Sequence, residues 1–356
     1  MAIRNALIVA HRWVALIVSI VLLGTAASGS VLVFEGAIDR GLHPELWRVT
    51  PAGAALPIDK VVARVEAQFP DARVGAISPS SIPDRAWSTS AGPLGVWVNP
   101  YTGAINGTRT QAEAQSTFAR RMHLFHVEVL GGKIGREIVG TTTIVALFLV
   151  ITGMILWWPD KLIRVNAAAS WKRITFDLHH ALGMVASLVL IVITSSGLVI
   201  HYDALTNLVK SLNQSPPPPA PTQPAGAPDA PRLSFDAVAA TARAALPGAD
   251  IMSISLGSAK NPGVAAMRFP EDHTPGGRSR VFVDHFSGAL LGKASTREAQ
   301  LGTRIDNLKR SLHTGDVMGK PTEAIWLLAS LVMVSQIITG VLMWWNARRG
   351  RSRKTA

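Results

Sequence analysis

Four long stretches of the chain, residues 13–34, 138–159, 181–200 and 324–347, contain no Asp, Glu, Lys or Arg. At about 1.5 Å per residue, a helix of such a length crosses a hydrocarbon core of about 30 Å. The sequence therefore predicts a multi-pass α-helical membrane protein with four transmembrane helices. The chain of 356 residues leaves room for folded mass outside the bilayer as well.

Basic residues cluster beside these stretches and predict the orientation of the chain in the bilayer. Cytoplasmic flanks of transmembrane helices carry an excess of Lys and Arg. Both termini and the middle loop are therefore predicted to be cytoplasmic, and the long segments 38–136 and 204–322 periplasmic or extracellular. This topology accounts for the net charge of +12, since the excess basic residues lie beside the spans. The charge therefore predicts contact with the lipid bilayer and no nucleic-acid partner. The basic residues concerned are Arg4, Arg12, Lys161, Arg164, Lys172, Arg173, Arg348, Arg349, Arg351, Arg353 and Lys354.

The composition excludes several kinds of chemistry. The chain has no cysteine, which rules out thiol catalysis, iron–sulfur clusters and covalent haem attachment. The predicted cytoplasmic pieces are too short for a nucleotide-binding domain, and no GxGxxG motif is present. An electron donor such as NAD(P)H or a flavin would therefore have to bind to a separate protein.

The chain contains an internal duplication. A shift of 168 residues aligns the first stretch with the third, and a shift of 187 aligns the second with the fourth. Residues 56–78 match 233–255 at a shift of 177. Each half is therefore predicted to be a span, an α+β module and a span, which makes two parallel repeats. Matching pairs include His11/His179, Gly29/Gly197, His126/His313, Thr152/Thr339 and Gly153/Gly340.

The repeats and the spans together predict the domain boundaries. These are 1–37 (first transmembrane helix), 38–118 (first periplasmic module), 119–160 (interfacial helix and second transmembrane helix), 161–176 (cytoplasmic loop), 177–203 (third transmembrane helix), 204–231 (Pro-rich linker), 232–298 (second periplasmic module), 299–347 (interfacial helix and fourth transmembrane helix) and 348–356 (basic cytoplasmic tail).

Histidine is the residue type whose positions suggest chemistry, because ionisable groups in or beside a span are costly and usually functional. Neutral imidazole is a standard axial ligand of haem iron. We therefore expect two haems b, one bound by His11 and His179 and the other by His126 and His313. His180 and His123 are adjacent alternatives, and His201, which ends the third stretch, is another.

A simpler interpretation of these histidines stays open, in which a histidine at a helix end bonds to lipid headgroups or backbone carbonyls. The remaining three, His43, His273 and His285, are interpreted as ordinary surface residues.

Several motifs resemble those of the PepSY-associated transmembrane proteins. They are HRW at residue 11, LHHALG at 178, TGMILWW at 152, TGVLMWW at 339 and DAVAATARAALPGA at 236. The studied branch of this family contains bacterial inner-membrane ferric-siderophore reductases of the FoxB and PiuB type. The resemblance implies PepSY-like modules, two haems b and electron transfer to a periplasmic ferric siderophore. The electrons would enter on the cytoplasmic side from a quinol or a separate flavoprotein.

Two other functions are compatible with this sequence. One is a haem-free membrane scaffold whose PepSY-like modules bind or restrain a periplasmic partner protein. The other is a transmembrane electron conduit that serves a partner oxidoreductase.

Overall fold

The computed structural model describes residues 2–129, 131–158, 165–216, 219–225 and 233–352. The chain forms two compact units, which we call the helical unit (Met1–Glu35, Ala119–Leu208, Leu308–Ala356) and the sheet unit (Gly36–Phe118, Val209–Asn307). In chain order the elements are α1 (Ala2–Leu32), α2 (Glu35–Leu42), α3 (Pro44–Trp47), α4 (Ile58–Gln68), β1 (Val74–Ser78), β2 (Trp87–Ala91), β3 (Leu94–Val98), β4 (Ile105–Arg109), α5 (Gln111–Ser116), α6 (Phe118–Val127), α7 (Gly132–Trp157), α8 (Trp171–His201), α9 (Asp203–Lys210), α10 (Phe235–Ala245), β5 (Asp250–Ser255), β6 (Gly263–Arg268), β7 (Ser279–Val283), β8 (Leu290–Ala294), α11 (Leu301–Thr314) and α12 (Lys320–Ser352).

Four helices of the described residues, α1, α7, α8 and α12, are long and apolar enough to cross a membrane. They confirm the four predicted spans. The helices include polar residues next to the uncharged stretches and are therefore longer than the stretches themselves. At its C-terminal end, however, α1 stops at Leu32 rather than at Phe34. Of the positions used in the predictions, Pro159, Lys161, Arg164, Arg353 and Lys354 lie outside the described residues.

The helical unit is a four-helix bundle with the repeats arranged across it. α1 packs against α7 and α12, and α8 packs against the same two helices. The equivalent helices α1 and α8 therefore lie diagonally, as expected for parallel repeats. Apolar side chains such as Ile17 (80% exposed) and Leu188 (71%) point outward, where lipid would surround them.

Small hydroxyl residues line much of the bundle interior. Thr25, Ser28, Thr194 and Ser196 are buried, and each hydroxyl donates to a carbonyl one turn earlier in its own helix. Such pairing satisfies the polar group without a partner from another helix, and small residues let transmembrane backbones approach closely.

The sheet unit is built on one antiparallel sheet in the order β4-β3-β2-β1-β5-β6-β7-β8. The predicted α+β repeat is confirmed, and the structure adds that the two modules share this sheet. Their junction is the β1–β5 pair, where Ile77 lies opposite its own repeat equivalent, Ile254. Helices α4 and α10 cover one face, with Val61, Val65 and Val238 fully buried.

The N termini of α4 and α10 meet at this junction and are capped reciprocally. The Asp236 carboxylate accepts the backbone N–H groups of Ile58 and Asp59, each at 3.0 Å. The Asp59 carboxylate accepts those of Phe235 (2.8 Å) and Asp236 (3.3 Å). Since the first N–H groups of a helix have no partner within it, each module satisfies the donors of the other.

The segment 204–231, predicted to be a Pro-rich linker, begins within a helix, because α9 spans Asp203–Lys210. Its residues 217–218 and 226–231 lie outside the described part of the chain.

Candidate functional site

A cavity of about 460 Å³ lies within the helical unit and is lined by all four long helices. We call it the bundle cavity. Most of its wall is apolar, and a few polar side chains interrupt it, among them Arg4, His11, Arg12 and Ser19 of α1, His179 and His180 of α8, and Gln336 of α12. Its size and its mixture of apolar wall and few polar groups are typical of cofactor and ligand sites.

His11 and His179 are held in the same way by threonines of neighbouring helices. His11 Nδ1 lies 2.8 Å from Thr152 Oγ1, and His179 Nδ1 lies 2.9 Å from Thr339 Oγ1. Each threonine hydroxyl donates its proton to a carbonyl of its own helix, that of Phe148 or Ser335. The threonine oxygen must therefore accept from Nδ1–H, which leaves the Nε2 lone pair of each histidine available as a ligand.

A glycine lies beside each of these two rings. A Cβ at Gly153 would stand 3.7 Å from His11 Cε1, and a Cβ at Gly340 would stand 3.5 Å from His179 Cε1. Both distances are ordinary van der Waals contacts. The Thr-Gly pairs of the two TGxxxWW motifs thus contact the two histidines.

His126 of α6 and His313 of α11 form a second symmetric pair. Each Nδ1 donates to a backbone carbonyl at 2.9 Å, that of Thr25 for His126 and that of Ile193 for His313. Thr25 and Ile193 are themselves repeat equivalents, at a shift of 168. The two ring centroids are 6.0 Å apart. A carbonyl can only accept, so Nδ1 carries the proton and Nε2 is again the free nitrogen.

The rings of this pair fit closely against glycines. A Cβ at Gly29 would lie 3.0 Å from His126 Cε1, and one at Gly197 would lie 2.9 Å from His313 Cε1. These positions therefore have no room for a side chain. Burial lowers the pKa of both histidines below the usual value. Both imidazoles are therefore neutral near pH 7.

Both histidine pairs lie within residues 9–347, which match the sequence model of a known protein family, the PepSY-associated TM region. The chain belongs to the PepSY-associated transmembrane family. The resemblance drawn from the HRW, LHHALG and TGxxxWW motifs is thereby confirmed at the level of the family. No curated protein matches the chain.

Other candidate histidines of this PepSY-associated protein lie in different surroundings. His180 lines the bundle cavity and stacks on Phe176, with ring centroids 4.1 Å apart. His201 ends α8, where its ring meets Tyr202 edge-on at 4.5 Å and its Nε2 lies against Gly140. His123 precedes His126 by three residues on α6. His285, interpreted as a surface residue, bonds through Nδ1 to the Leu256 carbonyl at 2.8 Å.

Sequence reasoning missed several residues in or beside the bundle cavity. Thr152 and Thr339 were visible as a repeated pair, but the pattern did not reveal that they bond to histidines. Arg12 and Gln336 gave no signal, since their repeat equivalents are His180 and Leu149. The Nε atom of Arg12 and the Nε2 atom of Gln336 are buried without a hydrogen-bond partner among the described residues.

Proposed function

We propose that this protein is a di-haem b reductase of the bacterial inner membrane, which passes electrons across the bilayer to a ferric siderophore in the periplasm. The observation that carries this proposal is the pair of symmetric histidine sites. In each site, two imidazoles from the two repeats have Nδ1 fixed by a hydrogen-bond acceptor and Nε2 left free. Surface histidines that merely bond to headgroups would not require matched acceptors in both repeats.

The residues of the bundle cavity suit haem b. Histidine ligands in metalloproteins commonly donate their second ring nitrogen to an acceptor, which fixes the tautomer and raises the basicity of the ligand. Thr152 and Thr339 would have that role for His11 and His179. Among the described residues no group of three or more His, Cys, Asp or Glu side chains is placed to hold a bare metal ion, whereas haem needs only two imidazoles.

Two buried donor groups of the bundle cavity suit the propionate edge of haem b. The buried Arg12 Nε and Gln336 Nε2 are donors without acceptors among the described residues, and such groups are costly unless a ligand pairs with them. Haem b carries two propionate carboxylates, for which arginine is a good partner. Arg12 and Gln336 would thus orient haem in the bundle cavity.

The two histidine pairs lie at different depths of the bundle. His11 is separated along α1 from Thr25, whose carbonyl binds His126, by 14 residues. His179 is separated by the same number from Ile193 on α8. Since an α-helix rises ~1.5 Å per residue, the two levels are about 20 Å apart along the bundle axis. Two redox centres at these levels would span most of a bilayer.

Haem b supplies a one-electron Fe(III)/Fe(II) couple when bound. The chain itself would hold the cofactors, exclude water with the apolar wall of the bundle cavity and keep the four ligating imidazoles neutral. One electron delivered to the outer side reduces one Fe(III) of the siderophore to Fe(II), which binds hard oxygen ligands less tightly. The electrons would come from a quinol or from a separate flavoprotein.

The proposal is tested by the reduced-minus-oxidised absorption spectrum of the detergent-purified full chain, with pyridine haemochrome quantification. We expect about two haems b per chain and the sharp bands of bis-imidazole ligation. His11→Ala and His313→Ala should each remove about one haem, whereas His43→Ala, in the sheet unit, should remove none. A colourless protein that does not take up added haem would instead support the PepSY scaffold that binds a periplasmic partner protein.

A further inference from the structure

Three arginines cluster on the second half of the sheet. Arg268 ends β6, Arg280 lies in β7, and Arg278 immediately precedes β7. In the β6–β7 ladder Ala266 lies opposite Arg280, and Met267 lies opposite Ser279. One further step along the ladder sets Arg268 opposite Arg278. Residues two apart share a face of a strand, so all three arginines project from the face opposite the fully buried Met267 and Ser279.

No ion pair within the described residues involves Arg268, Arg278 or Arg280. The Nε atoms of Arg268 and Arg278 are buried without a partner among the described residues. Within the described part of the chain, Arg280 donates to the backbone carbonyls of Gly277 (3.4 Å) and Ser279 (2.9 Å). Burial and the charge of Arg278 lower the pKa of Arg280. Like charges directly opposite each other in a sheet are destabilising.

Among the described residues the neighbouring carboxylates either bond to other groups or form no ion pair with the cluster. Glu271 pairs with Arg297 at 2.6 Å, and Asp272 accepts the backbone N–H of Phe269 at 2.9 Å. Asp250 is opposite Arg268 in backbone register, but no ion pair joins the two side chains in the described structure. Among the described residues the cluster is therefore a set of partly buried cationic side chains that form no ion pair with a carboxylate.

The first module has no arginines at the equivalent positions. The equivalent hairpin of the first module pairs Ala91 with Leu94, where the second pairs Met267 with Ser279. By this register the equivalents of Arg268, Arg278 and Arg280 are Gly92, Pro93 and Gly95. In the first module a two-residue turn joins the paired strands, whereas in the second a longer loop that includes residues 269–278 joins them. The arginines thus belong to a feature that distinguishes the second module from its copy.

We propose that Arg268, Arg278 and Arg280 form a binding site for a negatively charged ferric chelate with carboxylate or catecholate oxygens. The guanidinium fork matches a pair of anionic oxygens, and such charge-assisted hydrogen bonds are stronger than neutral ones. The site rests on the proposed reductase function for the identity of its ligand. It implies that anionic siderophores are preferred over neutral ones.

The test uses gallium(III) chelates, which carry the charge of the ferric chelates without their redox chemistry. Calorimetry on the detergent-purified full chain would compare a trianionic gallium tris-catecholate with a neutral gallium trihydroxamate. We expect the tris-catecholate to bind more tightly, and Arg268→Gln/Arg278→Gln to weaken that binding by about tenfold or more, since charge-assisted hydrogen bonds are lost. Arg243→Gln/Lys260→Gln removes the same charge from exposed positions of the same module. This control should change the affinity for the tris-catecholate by less than about twofold.

The proposal would be refuted if the two double variants lost the same affinity for the tris-catecholate, or if the native chain bound the two chelates equally well. A melting temperature of Arg268→Gln/Arg278→Gln well below that of the native chain would mean that the arginines serve the fold instead. Arg268→Lys/Arg278→Lys, which keeps the charge and loses the fork, should bind with intermediate affinity. Haem content, measured on each preparation, separates the two proposals: a haem-free chain that still binds the tris-catecholate refutes the reductase only.

Discussion

Asp59 and Asp236 each lie in the first turn of their own helix while capping the other helix. The two carboxylates accept four backbone N–H groups between them, at 2.8 to 3.3 Å. The Ser234 hydroxyl also donates to Asp59. Carboxylates are stabilised at the positive end of a helix dipole, so the arrangement favours both negative charges despite their proximity.

Asp59→Ala and Asp236→Ala should each lower the free energy of unfolding of the sheet unit by about 1–2 kcal/mol, the usual cost of a lost cap. The double variant should lose less than the sum, since each single change already breaks the reciprocal arrangement. Thermal unfolding followed by tryptophan fluorescence would measure this. Asp71→Ala, at an exposed position, is the matched control and should shift stability by less than about 0.5 kcal/mol. If the double variant lost as much unfolding free energy as the two single variants together, the two caps would be independent, contrary to this prediction.

Thr339→Val should leave haem bound in the bundle cavity but raise its midpoint potential. Without an acceptor for Nδ1–H, His179 becomes a less basic ligand and stabilises ferric iron less. We expect a rise of roughly 50 mV, the one-electron equivalent of about a tenfold change in relative affinity. A spectroscopic redox titration would detect it. Thr339→Ser keeps the hydroxyl and should restore the native potential, whereas an equal shift in both variants would assign the effect to packing.

Gly197→Ala should remove about one haem per chain, whereas Gly340→Ala should keep both. The added Cβ would lie 2.9 Å from His313 Cε1 in the first case and 3.5 Å from His179 Cε1 in the second. A Cβ at 2.9 Å displaces the ring, because core packing does not yield by that much without cost. Pyridine haemochrome assay of the two purified variants gives the comparison. Retention of both haems in Gly197→Ala would show that His313 is not a ligand.

His179→Ala should remove the haem of the bundle cavity, and His180→Ala should not. His179 has the threonine bond that His11 also has, while His180 stacks on Phe176. The reduced spectrum and haem content of the two variants distinguish them. If His180→Ala lost the haem and His179→Ala kept it, the repeat symmetry would have been misleading about the ligand.

The sequence was sufficient to predict the four spans and the repeat, because lipid tolerates few charges and a duplication leaves matched positions. It also showed that Gly29 matches Gly197 and that Thr152 matches Thr339. It could not show what these residues contact, since the contacts depend on how α6 and α11 pack against the bundle. His180 remained an alternative to His179 for the same reason. Only the packed structure distinguishes the side chain that reaches Thr339.

The junction at β1 and β5 escaped prediction for a different reason. The strands are separated by 177 residues, and each has the alternating pattern of any half-buried strand. Nothing local specifies which strand pairs with which. The reciprocal caps could not be inferred either, because an aspartate near the start of a helix is ordinarily assigned to its own helix.

The pairing of Ile77 with its own equivalent Ile254 has an evolutionary consequence. A half-length ancestor would have exposed the β1 edge and an uncapped helix terminus, and a second copy of itself would have satisfied both by a twofold interface. Gene fusion would have made that homodimer a single polypeptide. From then on its two halves were free to diverge, so that one could acquire the arginines and the other keep a tight glycine turn.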